Sequence, residues 1–224
     1  MANSAREHVW LMLALTFGTG INDAVGYLGL DKVFTGNMTG NVVVLGMSLT
    51  GGTGLPVLGP ALAFLGFMAG AAAAGRSLRK VAGTWSGRTS IHFGIVSVLM
   101  FVLGALLLAD GSHPSHRFDV FVTTGAAIAM GIQAATARLV AVQDITTVVV
   151  TSTITGLAAD SRLGSGAGVG VAGGSVRRAA AVLAIMAGAA TGALLLRWHL
   201  GTGLVLAGLV SASVAVIGES HRRA

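Results

Sequence analysis

The chain has 224 residues, a net charge of +6, 54% hydrophobic and only 10% charged residues, and a mean hydropathy of +0.82. Soluble domains carry roughly 25% charged residues, so this composition excludes a soluble fold, in which too little polar surface would remain to cover several long apolar stretches. Cysteine is absent, which excludes disulfides, thiolate chemistry and cysteine metal sites.

The first apolar stretch, 9–27, follows Arg6 and carries Asn22 and Asp23 near its far end. A cleaved signal peptide is the competing reading, and the polar residues just downstream favour a retained span. A carboxylate within a span is costly, so Asp23 is expected to face the bundle interior or a wet cavity. It is a candidate cation or proton site, or an acceptor for a polar solute. The structural alternative is a cap where the helix breaks before Gly26.

The next apolar piece, 33–49, contains Thr35-Gly36-Asn37-Met38-Thr39-Gly40-Asn41. Hydrogen-bonding side chains spaced among glycines let a helix unwind at depth while its freed backbone groups stay satisfied. A helix beginning there would present N–H groups to an anion or a substrate carboxylate. The alternative is an interhelical contact bonded through Asn and Thr.

Spans are then expected at 56–75, 91–109, 120–137, 179–196 and 200–217. The stretch 91–109 alone is nineteen residues without an Asp, Glu, Lys or Arg, which crosses most of a hydrocarbon core of about 30 Å at about 1.5 Å per residue. Gly66 and Gly70, like Gly188 and Gly192, form Gly-x-x-x-Gly packing faces, either within the bundle or in a homodimer. Gln133 and Arg138 add polar groups to the 120–137 span and its inner end, with Arg138 read as an interfacial anchor. A second short apolar piece, 145–158, is rich in Thr and Val and holds Thr151 and Thr155. Residues 164–174 read as a glycine-rich cytoplasmic linker.

Whether the two short pieces span decides the fold. With six spans and an inner N-terminus, only Lys32, Arg117 and Arg197 lie outside, against eleven basic residues inside. Eight spans give seven on each side. The bias of Lys and Arg towards the cytoplasm favours six spans, with N- and C-termini cytoplasmic and the two short pieces broken or re-entrant. The fold class is thus all-α, a polytopic transmembrane helix bundle forming a single integral membrane domain. Met68-Ala69-Gly70-Ala71-Ala72 recurs as Met186-Ala187-Gly188-Ala189-Ala190, and Gly20-Ile21-Asn22 is matched by Gly131-Ile132-Gln133. The shared order suggests repeat halves 9–109 and 120–217, three spans each and therefore inverted.

No enzyme motif is present. The histidines form no H-E-x-x-H array, and no Gly-rich phosphate loop or nucleophile elbow occurs. His113 and His116, with Asp110 and Asp119 nearby, are a candidate outer metal patch. A polar turn between two spans explains the same residues and needs no ion, so no metal and no cofactor is expected. The basic residues sit at helix ends and carry no nucleic-acid footprint.

The run from Thr16-Phe17-Gly18 through Asn22-Asp23-Ala24 to Val33-Phe34-Thr35-Gly36-Asn37-Met38-Thr39-Gly40-Asn41 resembles the YoaK family (DUF1275) of small bacterial membrane proteins. The stretches Gly131-x-Gln133-x-x-x-x-Arg138 and 147–156 are similar to the family pattern too, with Ala134 where asparagine is expected. The resemblance implies a multi-pass protein of the bacterial inner (cell) membrane and no established activity. The residues favour a secondary transporter or permease for a small polar solute, with proton coupling at Asp23 as one mode. The alternative is a non-transporting structural or partner-binding membrane protein. The candidate solute or ion site comprises Asn22, Asp23, Asn37, Thr39, Asn41, Gln133, Thr151 and Thr155. The partners are the lipid bilayer and a small solute of unassigned identity.

Overall fold

The computed structural model describes residues 2–51, 54–81, 85–110, 115–140, 150–161 and 172–223. Every element among them is an α-helix: α1 (Ala2–Gly29), α2 (Met38–Ser48), α3 (Leu58–Leu78), α4 (Gly87–Asp110), α5 (His116–Val140), α6 (Val150–Ala159), α7 (Ala172–Leu195) and α8 (Leu200–Arg223). Helices are what such apolar runs must form in lipid, where no water is present to pair backbone groups left open.

Among the described residues six helices are long and apolar enough to cross a membrane, the shortest being Leu58–Leu78 with 21 residues. That length is about 32 Å at about 1.5 Å per residue, against a core of about 30 Å. Helices α2 and α6 have 11 and 10 residues, about half that thickness. The fold is therefore all-α, with six long helices and two short apolar ones among the described residues. Helix α7 begins at Ala172, so the last three residues of the expected 164–174 linker are helical. The rest of that linker, and residues 145–149 of the second short apolar piece, lie outside the described residues.

Three helix pairs dominate the packing: α1 with α7, α3 with α5, and α4 with α8. Further contacts join α1 to α8, α4 to α5, α2 to α3, α6 to α7 and α1 to α5. Exchanging α1–α4 with α5–α8 in order maps each of these pairings onto another or onto itself. The closest approaches follow the same exchange. Gly70 abuts the Ile128 carbonyl and Gly131 the Phe67 carbonyl, while Gly188 abuts the Phe17 carbonyl and Gly20 the Ile185 carbonyl. A Cβ at any of the four would collide with that oxygen. Gly66 and Gly192 lie beside the carbonyls of Thr124 and Ile21, so all four glycines of the two Gly-x-x-x-Gly pairs pack inside one chain.

Large apolar residues such as Phe93, Met100, Ile21 and Leu204 fill the interior, while Leu65, Met68, Val98, Leu183, Met186 and Val216 face outwards. Lipid tails are as apolar as these side chains, so helix association rests on close fit and interhelical bonds, which explains the small residues at every tight contact.

Between α1 and α2 the chain reverses tightly. Asp31 and Lys32 both have left-handed backbone, with φ of 57° and 56°. Gly26 leaves room for the Val33 carbonyl to lie against α1. Val33 is fully buried with Ala63 and Ala127, and this anchors the reversal so that the following residues fall beside Asp23.

Candidate functional site

Asp23 holds the start of α2. The backbone N–H groups of Thr35, Gly36 and Asn37 donate to its Oδ1 at 3.0, 2.7 and 3.3 Å. Three convergent N–H groups ahead of a helix form a concave anion site, and the chain fills it with its own carboxylate. The expected N–H donors thus exist at this position but are not free for a solute anion. Gly36 keeps this turn close to its neighbours: a Cβ there would crowd the Thr19 and Met130 methyl groups at 3.0 and 3.2 Å.

Asn37 is the N-cap of α2, its Oδ1 accepting from the Gly40 N–H at 3.2 Å. Asn41 is fully buried and grips Phe34 from both sides: its Oδ1 accepts from the Phe34 N–H at 2.9 Å and its Nδ2 donates to the Phe34 carbonyl at 2.6 Å. The amide imitates a strand partner, which leaves Phe34 with satisfied backbone and positions its ring against Tyr27, centroids 4.7 Å apart and nearly parallel.

A cavity of about 730 Å³ opens between α1, α2, α6 and α7. Thr19, Asp23 and Tyr27 line it from α1, Phe34, Gly36 and Asn37 from the reversal, and Thr39 from α2. Val150 and Thr151 of α6 and Ile185 of α7 close the far side. Helix α2 rests on α3 and α6 on α7, while the described parts of α2 and α6 do not touch each other. They face each other across the cavity. The described lining residues include one carboxylate and no Lys, Arg or His.

The structure brings Asp23, Asn37, Thr39 and Thr151 to this one space. Four other candidates do not line it. Asn41 is buried behind Phe34, and Thr155 back-bonds to the Thr151 carbonyl at 2.9 Å. Asn22 turns towards α5, donating to Met130 Sδ at 3.1 Å. Gln133 donates to Thr19 Oγ1 at 3.2 Å and accepts a long bond, 3.5 Å, from Ser211. The Asn22–Met130 and Gln133–Thr19 bonds cross the α1–α5 contact in opposite senses and are equivalent under a shift of 111 positions (22 to 133, 19 to 130), so they bolt the two halves together.

The sequence carries a further signal of this site. Thr19, Asp23 and Tyr27 fall at four-residue spacing on one face of α1, which marks Thr19 and Tyr27 as companions of Asp23. His92 lies buried between α3 and α5, its ring nitrogens 3.1 Å from Thr136 Oγ1 and 3.1 Å from Ser77 Oγ. A lone histidine in an apolar helix names no partners, so this cluster had no signature. Of the polar turn, His116 pairs with Asp31 at 3.5 Å, and His113 lies outside the described residues. No group of three metal-ligating side chains occurs among the described residues.

The family model described as "Protein of unknown function (DUF1275)" matches residues 11–217. The chain belongs to the DUF1275 family. It is similar to the UPF0700 transmembrane protein YoaK of Bacillus subtilis (strain 168), 31% identical over 160 residues, which cover 71% of this chain and 68% of that protein. No solved structure matches the chain. This DUF1275 protein is therefore a bacterial multi-pass inner-membrane protein, embedded in the bilayer through its six long helices.

Proposed function

We propose that this protein is a secondary transporter or permease for a small polar solute, with Asp23 at the solute or coupling-ion site and both termini cytoplasmic. The observation that carries the reading is the cavity walled by two short helices from opposite halves, with a carboxylate in its lining. Short helices that stop at mid-membrane and face a cavity at a repeat interface are the usual construction of such sites. Helix α2 rests on α3 and α6 on α7, while α3 packs on α5 and α1 on α7. Movement of the α3–α5 pair carrying α2 against the α1–α7 pair carrying α6 would therefore open the cavity to one side and then the other. The exchange of element pairings supports an inverted repeat in which the halves are 9–109 and 120–217.

A second reading also has a specific observation behind it. Asp23 is bonded to three backbone N–H groups, which is what a purely structural carboxylate would do in a non-transporting membrane protein. Uptake of a panel of polar solutes into proteoliposomes separates the two. Asp23→Asn keeps an acceptor for the three N–H groups and removes the charge. In a transporter this variant inserts at near-normal levels and loses solute flux, together with any dependence on a proton gradient. Full flux in a well-folded Asp23→Asn protein would remove Asp23 from the mechanism.

A further inference from the structure

We infer that the cavity between α1, α2, α6 and α7 is a binding site for a small organic cation of the amine or quaternary ammonium class. This rests on the transport reading only for its physiological meaning, and binding is testable without it.

Three features of the walls select the charge. Asp23 is the sole charged side chain among the described lining residues, with no Lys, Arg or His beside it. Its Oδ1 already occupies the N–H groups of Thr35, Gly36 and Asn37, so a solute anion would meet a carboxylate where donors would otherwise await it. A cation meets attraction from the same group, strengthened because the surrounding protein and lipid screen it less than water does. The other threonine and asparagine side chains of the lining, Thr19, Asn37, Thr39 and Thr151, are neutral and able to accept N–H bonds.

The aromatic residues select the shape. Tyr27 and Phe34 stack at 4.7 Å, and both line the cavity together with Asp23. Aromatic rings attract cations through their negative faces, most effectively when the cation is weakly hydrated. Asn41 fixes Phe34 by two backbone bonds, so one wall is set before a ligand arrives. A carboxylate beside an aromatic pair recognises an alkylammonium group, whereas a bare alkali ion would ask for several convergent oxygens.

The test uses the full-length protein in detergent, with thermal unfolding midpoints followed against increasing concentrations of ammonium, methylammonium and tetramethylammonium chloride. Sodium chloride at equal ionic strength, sodium acetate and tert-butyl alcohol, a neutral near-isostere of tetramethylammonium, serve as comparisons. A ligand that binds only the folded state raises the midpoint in proportion to occupancy. The expected result is a saturable rise with at least one ammonium ion and none with sodium, acetate or the alcohol. Phe34→Leu and Tyr27→Leu should each weaken the apparent affinity, measured within each variant, by about two- to thirtyfold. Asp23→Asn should abolish the response. If no ammonium ion exceeds sodium, or the neutral alcohol protects equally, the proposal is overturned. A saturable ammonium response without uptake into proteoliposomes upholds the cation site and removes the transport reading. Uptake of a neutral or anionic solute without any ammonium response does the reverse.

Discussion

Asn41 shows how one side chain in this site is committed to architecture. Its amide pairs with both backbone groups of Phe34, and the side chain is fully buried. Asn41→Ala should cost about 1–3 kcal/mol for the groups left unpaired, read as a lower unfolding midpoint in detergent. Asn37 is partly of the same kind. An asparagine directly ahead of an apolar helical run is an N-cap by local rule, and that role was readable in the sequence alongside a solute role. The partnership of Asp23 with Thr35, Gly36 and Asn37 was less accessible. It depends on the reversal at Asp31 and Lys32, two non-glycine residues at positive φ; aspartate tolerates that region but lysine has no preference for it. The sequence could bring an acid and an asparagine into the same neighbourhood, but not say that the acid would consume the donors.

The helices themselves were legible because a span leaves an unmistakable run of apolar residues. Each of the six long helices overlaps its expected stretch, and α1, α4, α5 and α8 contain theirs whole. Helix α3 begins two residues late at Leu58 and α7 ends one residue early at Leu195. Polar residues such as Arg88 to Ser90 or Glu219 to Arg223 lengthen the helices beyond the apolar runs. The short helices were legible as interruptions, since glycine and asparagine break hydropathy without breaking membrane depth. Which glycines touch what was not legible, because chemically equal positions differ only in their neighbours. Gly70 and Gly188 sit against the carbonyls of Ile128 and Phe17, whereas Gly94 has open space around it. Gly70→Ala and Gly188→Ala should each destabilise the bundle by about 1–3 kcal/mol through overpacking. Gly94→Ala should be neutral or stabilising by up to about 1 kcal/mol, since a helical glycine gives up more entropy than alanine. Unfolding midpoints of the three proteins check this pattern, which should be the same for the first two if the halves are equivalent.

For the whole molecule, the recurring Met-Ala-Gly-Ala-Ala runs marked the two segments, in α3 and α7, that pack on α5 and α1. The cavity had no such mark. It is assembled from residues as distant as Thr19, Thr39, Thr151 and Ile185, and a space between elements carries no periodicity of its own. Its significance rests on whether it connects to both sides of the membrane in turn, and the absence of cysteine from the chain makes that measurable without knowing the solute. Thr39→Cys and Thr151→Cys place single thiols on the two cavity walls, and Ser97→Cys places one in the packed interior, where Ser97 is buried against the Gly208 carbonyl. Each protein is exposed to a membrane-impermeant thiol reagent from the outside, and then from the inside, of sealed vesicles. Alternating access requires that positions 39 and 151 react from both sides and that position 97 reacts from neither. Modification of both cavity positions from one side only, or from neither, would contradict a transport path and leave the cavity as a pocket in a static bundle.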